Sequence, residues 1–412
     1  MKAATNYDRP LFFACALCVV VGVWLRAQAL EFPGVFTWDE HHFVENARNY
    51  LAHRPDLNDH PPLGKLMMAG ALRALGDTAQ AWRIVQLCFG LLLIPLVNRV
   101  AAWASGDTRV GWLAAAMVSL DGFFIAYSRA ALLDGILVCM GVAAVWLACT
   151  ARRTFQYVLA ALVAGSACTV KFSGIAFLAP IVVLVVARRH WRGLLSLSAA
   201  PAVYFGWYSL GLWMARQPHS PRAVLTDTFR LYKHHANLTD WTHPYLSHWY
   251  EWFLPTHPIV MRSDVTPEGF LRVMSGVGNP ALWWLVNVTV VATAISLGIA
   301  AWHWFLARPA AEGPAQGNSL RIAFLMLCFV TPILPWIFSN RDSYINHYLP
   351  AYVFGVIIAA LALGQLFRSR PTTAFVLFLN VMLVGAFYSP VWGQLPITRT
   401  AMESRLILKK WR

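Results

Sequence analysis

LFFACALCVVVGVWLRAQAL (Leu11–Leu30) runs straight into EFPGVFTWDEHH (Glu31–His42), an apolar stretch followed by a polar island. The first segment is long enough to cross a hydrocarbon core of about 30 Å. It follows Lys2 and Arg9, and its length is that of an anchor expected to stay in the membrane rather than a cleaved leader. The island continues through DHPPLGK (Asp59–Lys65) before the next apolar run begins. Carboxylates set against a bilayer are costly, and a chain places them there with compensation, usually in a site that uses them. The island therefore reads as the active site of a membrane enzyme.

The rest of the chain agrees with a membrane setting. Only 13% of its 412 residues are charged, it carries 19 Trp, and its mean hydropathy is +0.52; about a quarter of a soluble domain is charged. A net charge of +14 would suit nucleic acid only if it formed a basic face on a soluble domain. Here Arg and Lys sit in short loops between apolar runs, which is a topological signal. Cys15, Cys18, Cys88, Cys139, Cys149, Cys168 and Cys328 all fall within apolar runs and read as small packing residues.

Candidate spans occur near residues 11–30, 82–104, 110–127, 131–150, 156–172, 174–187, 194–214, 281–306, 320–338, 348–367 and 373–390. The expected architecture is thus an all-α polytopic membrane protein of about 11 spans. Alternating spans put Arg109, Arg152, Arg153, Arg188, Arg189, Arg192, Arg308, Arg321, Arg368 and Arg370 on the side of Lys2 and Arg9, which should be cytoplasmic. The other side receives the first loop (31–81), the Ser128–Asp134 turn, Lys171, the loop 215–280 and the Arg341–His347 segment. The layout is a membrane module over 1–214, an external loop over 215–280 on the acceptor and carrier side, further membrane helices over 281–390, and a basic interfacial tail over 391–412.

Several short motifs occur in order along this layout. They are Trp38-Asp39-Glu40, Asp59-His60-Pro61-Pro62-Leu63-Gly64-Lys65, Ser128-Arg129 with Leu132-Leu133-Asp134, and Val170-Lys171-Phe172-Ser173-Gly174. His243-Pro244-Tyr245 with Trp249 and Trp252, Gly278-Asn279-Pro280 with Trp283-Trp284, and His347-Tyr348-Leu349-Pro350 follow. Together they resemble the protein O-mannosyltransferase family of lipid-carrier-dependent glycosyltransferases, and the resemblance covers most of the chain. It implies the GT-C glycosyltransferase fold, with an amphipathic segment in the first external loop, and inverting transfer of mannose from a polyprenyl phosphate to a Ser or Thr hydroxyl. Eukaryotic members carry an inserted β-trefoil domain after the seventh span; the loop 215–280 is too short for one, which suggests a bacterial enzyme in the plasma membrane with its site facing outward.

An acceptor hydroxyl is a poor nucleophile at neutral pH and needs a carboxylate to take its proton. The resemblance puts Asp39 at the family's catalytic aspartate. Glu40 is grouped with it, but neighbouring residues point in different directions, so its expected part is positioning. The leaving phosphate ester needs positive charge rather than a proton, and Arg129, Lys171 and Arg341 are the candidates for holding it. Arg26, which also matches a family position, is expected to pair with Asp39, Glu40 or Asp59; Asp59, His60, Asp134 and His347 are expected to position the site. His60 is held at the membrane surface by the two prolines that follow it.

Plainer readings exist for each. Lys171 could snorkel from a helix end, Arg129 and Asp134 could form a structural ion pair, and Trp241, Trp249, Trp252, Trp283 and Trp284 read first as an interfacial belt. No cofactor is expected; a divalent cation at His41, His42 and His60 is the open alternative, without helical His spacing to support it. The partners expected are a polyprenyl-phosphate-mannose donor, a secreted or membrane protein acceptor and the bilayer, with no nucleic acid. Two other functions stay open: a related enzyme with a lipid or glycan acceptor, and a transporter of lipid-linked sugars, although a transporter should gather its polar residues at the midplane.

Overall fold

The computed structural model describes residues 8–55, 59–239, 242–307, 314–408 and 411. Lys2, Trp241, Arg308, Lys409, Lys410 and Arg412 lie outside the described residues. The first half contains α1 (Asp8–Ala27), α2 (Glu40–Leu51), α3 (Leu63–Leu75), α4 (Ala79–Ser105), α5 (Thr108–Ser119), α6 (Gly122–Ala126), α7 (Asp134–Thr150), α8 (Thr154–Cys168), α9 (Ile175–Ala187), α10 (Trp191–Ser196) and α11 (Ala199–Met214). The second half contains α12 (Pro221–Ala236), the antiparallel strands β1 (Val260–Val265) and β2 (Leu271–Ser275), α13 (Pro280–Ala307), α14 (Pro314–Val330), α15 (Leu334–Ile337), α16 (Leu349–Ser369), α17 (Pro371–Gly393) and α18 (Arg399–Glu403).

Among the described residues, five segments are long and apolar enough to cross a membrane alone: Arg9–Ala27, Ala79–Ser105, Pro280–His303, Ile345–Ser369 and Pro371–Gly393. The other expected spans are shorter helices, and their breaks have local causes. The run near 110–127 divides because the Asp121 carboxylate accepts from the amides of Phe123 and Phe124 at 3.0 and 3.4 Å, starting α6. The same carboxylate takes the Asn279 amide at 2.8 Å and the Tyr352 hydroxyl at 3.2 Å, so the break also ties α5 to α13 and α16. The runs on either side of Lys171 are α8 and α9, joined by a 3-10 turn over Phe172–Gly174.

Helices in lipid gain little from apolar burial against one another and rely on close packing. Gly22 of α1 lies where an added Cβ would collide with the Ser119 backbone of α5, and Gly165 of α8 meets the backbone of Ala200 in α11 in the same way. The innermost elements are α5, α7 and the first half of α16, in which Leu349–Ala360 is buried without interruption.

The basic loops gather at one end. Asp107, at the start of α5, is paired with Arg109 at 2.9 Å and with Arg368 from the end of α16 at 3.0 Å. Arg188 donates to the carbonyls of Ala148 and Cys149 at the end of α7, and Arg321 to that of Trp103 in α4. At the opposite end lie α2 and α3 of the first loop, both with one buried face, and the 215–280 segment, which folds as α12 and the hairpin. The tail joins this end: Ile397 bridges Leu271, and the Trp411 indole donates to the Pro255 carbonyl at 2.6 Å. Among the described residues of the tail beyond α17, the helical turn is α18, and the chain lies against the hairpin.

Candidate active site

The polar island enters the site through a tight reversal. Trp38 has φ +41°, a conformation uncommon for a bulky side chain. Its amide donates to the Met261 carbonyl of β1 at 3.2 Å, and its ring lies 5.3 Å from that of His243, 5.5 Å from Tyr245 and 6.0 Å from Tyr344. This anchoring turns the chain so that Asp39 and Glu40 diverge. Strain of this kind persists where the surroundings over-determine it, and functional sites are common places for it.

Glu40 goes into the protein. It is fully buried; Oε1 and Oε2 receive Nε and Nη2 of Arg83 at 2.8 and 2.9 Å, and the Ala131 and Thr37 amides donate to them at 2.7 and 2.8 Å. Arg83 also donates to the carbonyls of Leu30, Pro33 and Val35 at 3.0 Å each, locking the loop that precedes the island. A carboxylate with four donors is satisfied where it stands, so Glu40 holds the turn in place.

Asp39 is its opposite. It occupies the N-cap position of α2, where an Asp side chain ordinarily accepts from the helix amides, yet its carboxylate makes no capping bond and accepts no hydrogen bond among the described residues. It is half-buried. Burial pushes its carboxyl above the usual carboxylate range, against the opposing pull of His42, Lys171 and His41, with Asp134 adding to the rise. A half-buried carboxylate without a partner and with raised basicity is equipped to take a proton.

Lys171 acts on the Asp39 carboxylate, and Arg341 joins Lys171 around His60 and His347. Lys171 is buried, its Nζ 2.9 Å from Asp134 Oδ1, and Asn346 Nδ2 donates to the same oxygen at 3.2 Å. Lys171 is therefore held in the interior by Asp134, which Asn346 braces in turn, rather than snorkelling. Arg341 lies with its guanidinium carbon 5.6 Å from the Trp336 ring centre; its Nε is buried without a partner, and the guanidinium donates no hydrogen bond among the described residues. Lys65, which motif reading did not single out as a cation of the site, is buried with Nζ 2.8 Å from the His60 carbonyl and 5.7 Å from the centre of the Tyr50 ring. Its burial, which residue type does not disclose, is what sets it apart.

His60 stacks between Phe43 at 5.8 Å and His235 of α12 at 5.1 Å. Burial, then the charges of Lys171, His235, Arg341 and Lys65, hold it well below the usual imidazole range, and burial brings His235 to about 4. Both rings are neutral near pH 7, leaving the positive charge on Lys65, Lys171 and Arg341. Asp59 pairs with His234 at 3.2 Å, and its carbonyl takes the His235 ring. His347 lies 4.1 Å from the Trp336 ring. Neighbouring backbone closes the set: the Ser247 amide donates to the Ser343 carbonyl at 2.9 Å and the Asp342 amide to that of Leu238 at 2.7 Å.

Other expectations receive different partners. Arg129 is buried, with Nη1 donating to the carbonyls of Leu25, Arg26 and Gln28 at 2.7, 3.0 and 2.8 Å and Nη2 to Gln394 at 3.3 Å. Its guanidinium is thus engaged with the carbonyl end of α1, and Asp134, its alternative partner, is paired with Lys171. Arg26 donates to the carbonyls of Gly22, Ser119 and Val118, at the end of α5, instead of to Asp39, Glu40 or Asp59. Both arginines answer carbonyls left over at helix ends, which residue type alone does not disclose. Trp252 and Trp283 are core residues packed around Tyr348 rather than a belt. The three histidines considered for a metal are not gathered: the His41 ring lies 3.7 Å from that of His42, while His60 belongs to the Phe43–His235 stack.

Comparison with known proteins bears on the family and the fold. The family model for dolichyl-phosphate-mannose-protein mannosyltransferase matches residues 16–82 and 73–214, and that for the C-terminal four-span region of protein O-mannosyltransferase matches residues 225–411. The polyprenol-phosphate-mannose–protein mannosyltransferase of Mycolicibacterium smegmatis is 25% identical over 475 residues, 92% of this chain and 88% of the relative. That of Mycobacterium tuberculosis is 24% identical, over 96% of this chain and 90% of its own length. In fold, the chain resembles the Saccharomyces cerevisiae Pmt1-Pmt2 complex bound to the sugar donor, with a TM-score of 0.83 at 13% identity, covering 100% of this chain and 93% of that one. ArnT from Cupriavidus metallidurans gives 0.59 at 14% identity, covering 94% and 65%.

Proposed function

Because the chain belongs to the protein O-mannosyltransferase family, we propose that it transfers mannose from a polyprenyl-phosphate-mannose donor to Ser or Thr hydroxyls of protein acceptors, at the non-cytoplasmic face of a bacterial plasma membrane. The observation that carries the proposal is the Asp39 carboxylate, unbonded at a helix N-terminus and neighboured by Lys171.

In this reading Asp39 accepts the hydroxyl proton as the acceptor oxygen bonds to the anomeric carbon. The bond from that carbon to the phosphate oxygen breaks on the opposite side, and the electron pair leaves with polyprenyl phosphate. Lys171 and Arg341 bind the phosphate oxygens and offset the charge that gathers there. Asp134 and Asn346 keep Lys171 in place, and Asp39 passes its proton to water. Glu40, through Arg83, fixes the turn that presents Asp39.

The test is product analysis with the purified protein, radiolabelled polyprenyl-phosphate-mannose, and Ser/Thr peptides beside lipid acceptors. Label in an alkali-releasable peptide product is expected; label only in a lipid or glycan would replace the proposal with the related lipid-acceptor activity.

A further inference from the structure

The hairpin beside the reversal at Trp38 has one strand edge in use and one mostly vacant. The Thr266 amide donates to the Phe270 carbonyl at 2.8 Å, and the register pairs Asp264 with Arg272 and Arg262 with Met274. Alternation along an antiparallel ladder then makes these the hydrogen-bonded pairs and turns the backbone groups of Ser263, Val265 and Leu271 outward. On the β2 side the outward groups of Leu271 exchange two bonds with Ile397, at 2.8 and 2.9 Å. On the β1 side the Met261 carbonyl takes the Trp38 amide. Ser263 and Val265 are exposed, and their outward backbone groups meet no partner among the described residues.

A cleft of about 490 Å³ lies beside this strand, with Phe32, Pro33 and Val35 facing Arg262, Asp264 and Arg272. One wall is fixed by Arg83, which binds the carbonyls of Pro33 and Val35. The other carries both charge signs: Arg262 is paired with Asp264 at 2.6 Å, while Arg272 lies 4.6 Å over the Phe32 ring with a buried, unpartnered Nε. A rigid strand edge with unused amides and carbonyls is a template for a further strand.

We propose that the free edge of β1 at Ser263 and Val265 binds the acceptor polypeptide as an added β-strand, delivering its hydroxyl residue to Asp39. The inference rests on the proposed protein-mannosylating function. At about 3.4 Å per residue, Ser263 stands roughly 7 Å along the strand from the Met261–Trp38 contact. A peptide paired there reaches the residue next to Asp39 within two or three of its own positions. Recognition through backbone bonds makes little demand on acceptor sequence but requires an extended chain with amides at alternate positions. Proline or N-methylation at those positions removes a donor.

The test is a scan of Thr-containing acceptor peptides, each with one N-methylated amide, assayed on the wild-type protein. It is run beside V265P and S263P, whose lost amides point away from β2, so the hairpin ladder is retained. The expected result is a KM for peptide raised about tenfold at every second methylated position and in the proline variants, with the KM for donor and the melting temperature unchanged. Efficient transfer by the wild type with no two-residue period, and wild-type peptide KM in V265P, would overturn the strand-addition proposal while leaving the transferase reading intact. Should the proline variants unfold, the methylation scan on the wild type decides alone. Transfer to lipid but to no peptide would remove both.

Discussion

Two adjacent carboxylates have opposite fates, and the difference is one of partners. Glu40 has four donors and Asp39 has none. We expect Asp39→Asn to lower turnover by about a hundredfold or more while donor binding persists, consistent with loss of a general base. Its raised pKa sets the sign of the pH dependence: the base is active when ionised, so kcat/KM falls as pH drops through a pKa above the ordinary carboxylate value of about 3.9. An acid limb at or below that value would contradict the assignment. Arg341 is the cation whose guanidinium has no hydrogen bond to replace when phosphate binds. Arg341→Ala should raise the KM for donor about tenfold or more with little change in melting temperature, whereas Lys171→Ala should also lower stability because it strands Asp134. Equal effects of the two variants on stability and donor KM would remove this distinction.

At the scale of elements, the site depends on α2, α4 and the loop between α1 and α2 being locked together by Glu40 and Arg83. Breaking one side of a buried, hydrogen-bonded ion pair costs about 3–5 kcal/mol. Arg83→Met should accordingly lower the thermal stability of the purified protein and abolish transfer, since it also frees the Leu30, Pro33 and Val35 carbonyls. A variant with wild-type melting behaviour would show that the loop is held by other means.

These interactions also mark how far the sequence could be read. Apolar runs disclosed the helices because bilayer thickness imposes their length, and the motifs Trp38-Asp39-Glu40 and Val170–Gly174 pointed to the stretches that converge. The division of the 110–127 run at Asp121 and the binding of backbone carbonyls by Arg26, Arg83 and Arg129 were not legible. They depend on which carbonyls from distant segments lie within reach. Lys65 was missed because burial, not residue type, distinguishes it, and the strand pair in the external loop because its six- and five-residue strands lack a strong alternating pattern.

Across the whole molecule, the basic loops cluster at one end and Asp39, Lys171, Arg341 and the hairpin at the other. From the positive-inside asymmetry we propose that the site faces away from the cytoplasm. With the exposed native Cys88 replaced, single cysteines at Asn237 and Arg189 should be labelled by an impermeant thiol reagent from opposite sides, Asn237 from the exterior. Proteoliposomes sorted by this labelling give the most direct measurement: radiolabelled polyprenyl-phosphate-mannose in the bilayer, with an impermeant Thr-containing peptide supplied to one side at a time. Mannosylated peptide is expected only when the peptide is on the Asn237 side, and none with Asp39→Asn. Product formed from the Arg189 side, or undiminished by Asp39→Asn, would contradict the proposed function.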